Sequence, residues 1–151
     1  MSEQQQPLPP GLAEIAEEFA EMSPPDRLQL LLEFSDGLPA LPPELADHPE
    51  LLEPVPECQS PIFLATQVEG TGPSATVSLY FSAPPEAPTT RGFAGILHEG
   101  LDGRTAAEIV GVPADFPLRL SLTDAVSPLR LRGMSGMLSR IQRQVHQRAQ
   151  L

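Results

Sequence analysis

"IFLATQVEGTGPSATVSLYFS", residues 62–82, is the stretch of sequence that decides the fold. In its second half, Val77, Leu79 and Phe81 alternate with serine and tyrosine, which is the period of a strand with one buried face. The first half, "IFLATQVEG", also reads as a strand, and the glycine-containing "EGTGPS" between the two halves is typical of a turn. The stretch therefore predicts a β-hairpin.

Helical patterns precede the hairpin. Residues 11–22 repeat apolar side chains at the spacing of one helix face, with acids between them (Leu12, Ile15, Phe19 and Met22). Residues 24–36 lie between Ser23, a favoured N-cap, and Gly37, a favoured terminator, and their first turn holds prolines. We expect two helices here, followed by an ordered but irregular proline-rich loop over residues 38–57.

Helical patterns also follow the hairpin. Residues 90–103 predict a helix, and a short helix begins with the capping box formed by Thr105 and Glu108. The last segment has Ser127 as N-cap and Pro128 in its first turn, so it predicts a long terminal helix with a basic face. Its apolar stripe runs through Leu131, Met134, Leu138, Ile141 and Val145. A small antiparallel sheet flanked by N-terminal and C-terminal helices makes this an α+β fold.

Length and composition bound the domain organisation. The chain has 151 residues, 40% of them hydrophobic, which is enough for one domain with a core but short for two. We expect residues 1–10, which are polar and proline-rich, to be disordered, and residues 11–148 to form a single domain. No run nears the roughly 18 apolar residues of a membrane span, and the N-terminus lacks a signal pattern. We therefore expect a cytoplasmic protein that does not bind membranes.

The charge distribution argues against some functions. A formal net charge of −11 argues against nucleic acid as a partner. Residues 1–58 carry thirteen acids and one base, whereas residues 127–151 carry five arginines and no acid. Most of these charges are expected on solvated faces, although the acidic half can steer a basic partner. The chain has no lysine, so it cannot form the internal Schiff base of a pyridoxal-phosphate enzyme, and we expect no cofactor.

Cys58 is the only cysteine in the sequence. A free cysteine is often a small buried hydrophobe, and composition alone favours that interpretation. Its polar neighbours Glu57, Gln59 and Ser60, at the junction between the proline-rich loop and a strand, instead favour a partly accessible loop. A thiol hydrolase would need a nearby histidine, and no catalytic motif surrounds any of the three (His48, His98 and His146). No C-x-x-C or H-x-x-x-H spacing predicts a metal site.

Three motifs in one order resemble the SufE family, the sulfur-acceptor proteins of iron-sulfur cluster assembly. They are "ECQSPIF" at residues 57–63, "RGFAGIL" at residues 91–97 and "SPLRLRGMSGML" at residues 127–138. In addition, "LLEFSDGLPAL", residues 31–41, is similar to the family's second helix. The resemblance covers about residues 12–148 and implies the SufE/IscU-like form of the α+β fold.

The resemblance also implies a function. SufE-like proteins bind a pyridoxal-phosphate cysteine desulfurase of the SufS type, stimulate it, accept its persulfide sulfur on their own cysteine, and pass the sulfur to a SufBCD-type scaffold. Cys58 matches the sulfur-accepting cysteine. The residues implied to contact the partner are Glu57, Gln59, Ser60, Glu86, Arg91 and Gly92. The chain departs from the family pattern where Glu57 replaces a common glycine, Phe63 a tryptophan, Leu118 a glutamate and Ala125 a histidine.

The chemistry of a sulfur relay agrees with this sequence, because persulfide exchange needs one thiol on a mobile loop and no second cysteine. We expect Glu57 and Glu53 to raise the pKa of the Cys58 thiol and to keep it sluggish when the protein is free. Activation would then come from the partner or from Arg130, which matches the arginine that follows the S/T-P motif of the family.

Alternatives stay open at this point. Instead of stabilising a thiolate or persulfide, Arg130 could simply form an ion pair with Glu86 or Asp124. A U-type iron-sulfur scaffold has a fold like that of SufE proteins, but such scaffolds use several cysteine ligands. A stand-alone thiol hydrolase or peroxidase would use Cys58 without a partner.

Overall fold

A computed structural model describes residues 8–151 of the chain, and in this part the fold is α+β as the sequence predicts. The strands form one antiparallel sheet in the order β1-β2-β3, with bounds Glu53–Pro54, Phe63–Glu69 and Thr76–Ser82. The helices, in chain order, are α1 (Pro10–Ala20), α2 (Pro24–Asp36), α3 (Pro43–Ala46), α4 (Pro88–Leu101), α5 (Ala106–Val110) and α6 (Pro128–Arg148).

The predicted hairpin supplies two of the three strands of the sheet, and its first strand β2 is the central one. Its strands β2 and β3 pair in register from Phe63 opposite Ser82 to Glu69 opposite Thr76. The alternating apolar side chains of β3 are buried as expected (Val77, Leu79 and Phe81). Because β2 packs against α6 and β3 packs against α4, the buried face of the sheet is covered by the two longest helices.

Glycines on α4 let other helices approach it closely. A Cβ on Gly92 would lie 2.6 Å from the carbonyl oxygen of Leu31, and a Cβ on Gly95 would lie 2.2 Å from that of Phe34. Both contacts are on α2, so the two backbones pack nearly directly on each other. Both glycines are buried, and any side chain there would collide with backbone atoms of α2.

The helix ends were largely predictable from local signals. Helix α2 spans the predicted residues and is followed by Gly37 as its C-cap, and α5 begins with the predicted capping box. The Ser127 side chain accepts a hydrogen bond from the Arg130 backbone N–H at the start of α6. Helix α1 ends at Ala20, slightly earlier than residue 22.

The proline-rich segment is more regular than expected. Besides α3, it contains 3₁₀ turns at Pro49–Leu51 and Pro56–Cys58, and Glu53–Pro54 pairs with β2 as the edge strand β1. The prediction of a purely irregular loop is therefore wrong for this part. Residues 1–7 of the predicted disordered tail lie outside the described residues, and Pro10, its last residue, begins α1. Within the described range, no helix is long and apolar enough to cross a membrane.

Candidate functional site

Cys58 lies on a short closed loop between β1 and β2. The loop is pinned at its base, where the backbone N–H of Val55 donates to the carbonyl of Ile62 at 2.9 Å and both side chains are buried. Inside it, the N–H of Cys58 donates to the carbonyl of Val55 at 3.1 Å, which closes the 3₁₀ turn. Gln59 then takes the left-handed conformation with φ of 58°, which reverses the chain directly after the cysteine.

The cysteine loop packs against two glycines of α6. The thiol of Cys58 points at the carbonyl oxygen of Gly133, with Sγ 3.6 Å from it. A Cβ on Gly133 would lie 3.0 Å from Sγ, and a Cβ on Gly136 would lie 2.9 Å from the carboxyl carbon of Glu57. The glycines in "RGMSG" of α6 therefore form a notch that accepts the cysteine and the residue before it.

Ion pairs flank this notch on the side of β1. Arg140 on α6 lies with Nη1 2.8 Å from Glu57 Oε1 and with Nε 3.3 Å from Glu53 Oε2. Glu53 is also paired with Arg143 and accepts a hydrogen bond from the Gln144 amide at 2.7 Å. The cluster connects β1 and the cysteine loop to one face of the terminal helix.

The resting thiol is held in its protonated form. Burial, and after it the neighbouring Glu57 carboxylate, raise the pKa of Cys58 to about 12, although the Arg140 guanidinium acts in the opposite direction. The thiolate is the nucleophilic form of cysteine, so at neutral pH this thiol is a poor nucleophile in the observed conformation. The predicted direction of the shift is confirmed, but burial rather than charge is its largest cause.

The carboxylates beside the thiol are held ionised. Hydrogen bonds from its own backbone N–H and from Arg140 lower the pKa of Glu57. For Glu53, burial alone would raise the pKa, but hydrogen bonds from Gln144 and Arg143 outweigh it and the pKa is lowered. The negative charge next to Cys58 is therefore present throughout the neutral range.

A cleft of about 210 Å³ opens at the cysteine loop, lined by Glu57, Cys58, Gln59, Ser60, Thr90, Ser127, Leu129 and Arg130. It brings together the loop, the start of α4 and the first turn of α6. Arg130 is exposed there, and among residues 8–151 its guanidinium makes no ion pair, so the alternative pairing with Glu86 or Asp124 is not formed. The structure thus brings Arg130 to the same cleft as the thiol, whereas the cation that acts electrostatically on the thiol is Arg140.

The other residues implied as partner contacts differ in accessibility. Glu86 is exposed in the segment before α4. The Arg91 guanidinium instead donates to the carbonyls of Ser35, Ala83 and Leu38, at 3.0, 2.7 and 3.3 Å, so it joins α2 to the end of β3. Gly92 is buried under α2, where it serves helix packing. A contact between Gly92 and a partner would need α2 to move away.

Apolar side chains surround the start of α6. Leu118, one of the departures from the family pattern, is 61% exposed, and Leu129 is 45% exposed. Leu118 lines a neighbouring cleft of about 280 Å³ that also reaches Leu131 of α6.

The three described histidines do not line the cysteine cleft. Within residues 8–151, no three histidine, cysteine or acidic side chains form a group that could hold a metal ion.

Arg140 is the site residue that the sequence analysis missed. It carries no motif, and its partner Glu57 lies 83 positions earlier in the chain, beyond the reach of any local pattern. The available signal was helical spacing, because Gly133, Gly136 and Arg140 follow one another at intervals of three and four residues and therefore lie on one face of α6.

The protein thus has an α+β fold with a three-stranded sheet, and its single cysteine lies in a glycine notch. Comparisons with known proteins identify its family. Residues 13–145 match the SufE family, described as an Fe-S metabolism associated domain. A SufE-like protein of Mycobacterium tuberculosis, itself called uncharacterized, is 56% identical over 140 residues, which cover 93% of this chain and 94% of the relative.

Two further relatives agree. SufE-like protein 1 of Arabidopsis thaliana, a chloroplastic/mitochondrial protein, is 26% identical over 137 residues, which cover 90% of this chain and 35% of that protein. The solution structure of a hypothetical protein from Thermus thermophilus matches with a TM-score of 0.80 and 37% identity, over 96% of this chain and 100% of that one. The chain therefore belongs to the SufE family, as its motifs predict, and has a role associated with Fe-S metabolism.

Proposed function

We propose that this protein is a sulfur acceptor and carrier, which takes persulfide sulfur from a SufS-type cysteine desulfurase onto Cys58 and passes it to a SufBCD-type scaffold. The observation that carries the proposal is the position of the thiol. The only cysteine of a SufE-family chain lies on a short loop and lines a cleft, so a partner that displaces the loop can bring its sulfur to the thiol.

The transfer step is a thiol exchange. The Cys58 thiolate attacks the terminal sulfur of the donor persulfide, and a new sulfur-sulfur bond forms as the donor's own sulfur-sulfur bond breaks. The donor cysteine leaves as a thiolate and takes up the proton that Cys58 released. One sulfur-sulfur bond replaces another, so no oxidant or reductant is consumed. Passing the sulfur on repeats this exchange with Cys58 as the donor.

The electrostatics of the site favour a reaction controlled by a partner. A thiol whose pKa is raised to about 12 reacts slowly with any electrophile that meets the free protein. A carrier benefits from this property, because its thiol stays intact until a partner exposes or deprotonates it. We assign docking to the surface formed by the exposed Gln59 and the half-buried Ser60 and Glu57 of the loop, together with the exposed Glu86 before α4.

No specific observation favours either alternative function, a thiol hydrolase or peroxidase or a U-type scaffold. A hydrolase or peroxidase would need a thiolate and a base at the cleft, whereas this thiol is protonated and has no histidine beside it within the described residues. A U-type scaffold would need more cysteine ligands than the single one in the sequence. The cytoplasmic location stays a prediction.

The direct experiment is mass spectrometry after incubation with a SufS-type desulfurase, pyridoxal phosphate and free cysteine. We expect the Cys58 peptide to gain the mass of one or more sulfur atoms and desulfurase turnover to rise. Cys58→Ser is the matched control, since a hydroxyl cannot form a persulfide while the shape of the side chain changes little. Sulfur gain outside Cys58, or full stimulation by the serine variant, would exclude the carrier function.

A further inference from the structure

We propose that Arg140 is a positioning residue of the sulfur site that acts through Glu57. The ion pair between them holds the cysteine loop in the glycine notch of α6, and the thiol is released when a basic group of a partner takes over the Glu57 carboxylate. This inference rests on the proposed function for its biological meaning, but its structural content concerns the protein alone.

The contacts of the loop support this assignment. The backbone hydrogen bonds of the cysteine loop are internal to it, so they shape the loop without attaching it to α6. Beside its packing on Gly133 and Gly136, its polar attachments to α6 are the contact of Cys58 with the Gly133 carbonyl, at a long sulfur–oxygen distance of 3.6 Å, and the pair of Glu57 with Arg140 at 2.8 Å. A neutral thiol is a weak donor, so the ion pair is the stronger of the two.

The two partners of the pair differ in how firmly they are held. Arg140 is 21% exposed and is fixed from its other side by Glu53, while its Nη1 also donates to the carbonyl of Gly136 at 3.3 Å. Glu57 has Arg140 as its ion-pair partner on α6, and its side chain is the more exposed of the two, at 36% against 21%. The arginine therefore stays on the helix and the carboxylate is the group free to move.

The exposure of Glu57 indicates which kind of partner group would release the cysteine loop. The Glu57 side chain is 36% exposed and lines the cysteine cleft, so a cation that enters the cleft meets its carboxylate. A lysine or arginine from the partner would replace Arg140 as counterion without leaving a buried charge unpaired. Glu57 would then move with the partner and carry the adjacent Cys58 out of the notch.

The charged groups that face the thiol come from several elements. They are Glu57 in its own turn, Arg140 and Arg130 on α6, and Glu53 on β1 behind Arg140, while α4 contributes the uncharged Thr90. If Arg140 acted only through its charge, Arg140→Gln would remove a cation that favours the thiolate and would slow alkylation of Cys58. If Arg140 holds the loop, the same variant exposes the thiol, and because burial dominates the pKa, alkylation becomes faster.

The experiment measures the rate at which iodoacetamide alkylates Cys58 in the full chain, without any partner, at one pH near neutrality. We expect Arg140→Gln to accelerate alkylation about tenfold or more, since each unit by which a thiol pKa falls gives about ten times more thiolate. Arg140→Lys, which keeps a cation for Glu57, should stay near the wild-type rate. Arg143→Gln is the matched control. Arg143 lies on α6 like Arg140 and also pairs with Glu53 of β1, but it does not pair with Glu57.

A slower or unchanged rate in folded Arg140→Gln overturns the proposal. If that variant does not fold, Glu57→Gln supplies a second test by amide hydrogen exchange. We then expect the N–H groups of Cys58 and Gln59 to exchange about tenfold faster, as opening of a held loop requires, and unchanged exchange overturns the proposal equally. Both tests omit the desulfurase, so a failure of sulfur transfer with intact loop control would count against the proposed function alone.

Discussion

Two glycine-lined contacts in this protein look alike in sequence but differ in what fills them. On α4, Gly92 and Gly95 receive the backbone of α2, and both are buried among apolar residues. On α6, Gly133 and Gly136 receive a polar loop that is partly exposed and held by an ion pair. The first contact belongs to the permanent core. The second holds a half-buried cysteine and a charged side chain, so we interpret it as a contact that the cysteine loop can leave.

The difference predicts that the core contact is the more sensitive to an added methyl group. Gly95→Ala should destabilise the protein by about 3 kcal/mol or prevent folding, because its Cβ would lie 2.2 Å from a backbone oxygen of α2 that cannot rotate away. Urea denaturation measures the change.

The matched control for this prediction is Gly37→Ala at the end of α2. Gly37 is exposed, has a negative φ of −86°, and its nearest contact for a Cβ is 3.6 Å away. The alanine there should cost no stability. Equal losses at Gly37 and Gly95 would contradict the view that close packing against α2 causes the loss at Gly95.

The same change in the second contact should alter reactivity more than stability. In Gly133→Ala the new methyl group would lie 3.0 Å from Cys58 Sγ and 3.2 Å from Cys58 Cα, so the loop must shift. We expect a loss of only about 1 kcal/mol, since the loop can move outward, together with faster alkylation of Cys58. Gln147→Ala, exposed on the same helix, should change neither quantity.

A large loss of stability in Gly133→Ala with an unchanged alkylation rate would contradict this comparison. It would mean that the contact of the cysteine loop with α6 is as rigid as the contact between α2 and α4, and that the glycine notch serves only close packing. Thermal melts of the variant and of Gly95→Ala, measured under the same conditions, separate the two outcomes.

Local patterns were enough to predict most of the fold. The hairpin follows from alternation within residues 62–82, and the start of α6 follows from Ser127 and Pro128, because turn and cap preferences depend on neighbours in sequence. Strand β1 was not predictable, since Glu53 and Pro54 pair with β2 only after the proline-rich segment folds back, and proline is confined to sheet edges.

The site was predictable only in part, for a related reason. Cys58 and its polar neighbours were found from the motif, and Arg130 does lie at the same cleft. The pair of Glu57 with Arg140 depends on how α6 packs against the cysteine loop, which no local pattern encodes. The extent of burial, which dominates the pKa of the thiol, is likewise a property of the tertiary structure.

The smallest effect is expected at Arg130, the other arginine near the thiol. Its side chain is exposed in the first turn of α6, where a cation is mildly unfavourable next to the free N–H groups and the helix dipole. Arg130→Ala should therefore leave the melting temperature unchanged or raise it slightly.

Because Arg130 is not among the groups that shift the pKa of Cys58, the alkylation rate of the free protein should also stay the same. An effect is expected only when a persulfide is transferred, since Arg130 lines the cleft through which we propose that the sulfur enters. The measurement is the rate of single-turnover sulfur transfer from a desulfurase to Arg130→Ala. The control is Arg132→Ala, two positions further along α6. A wild-type transfer rate in Arg130→Ala would show that Arg130 does not contact the transferred sulfur and would leave Arg140 as the arginine on which the site depends.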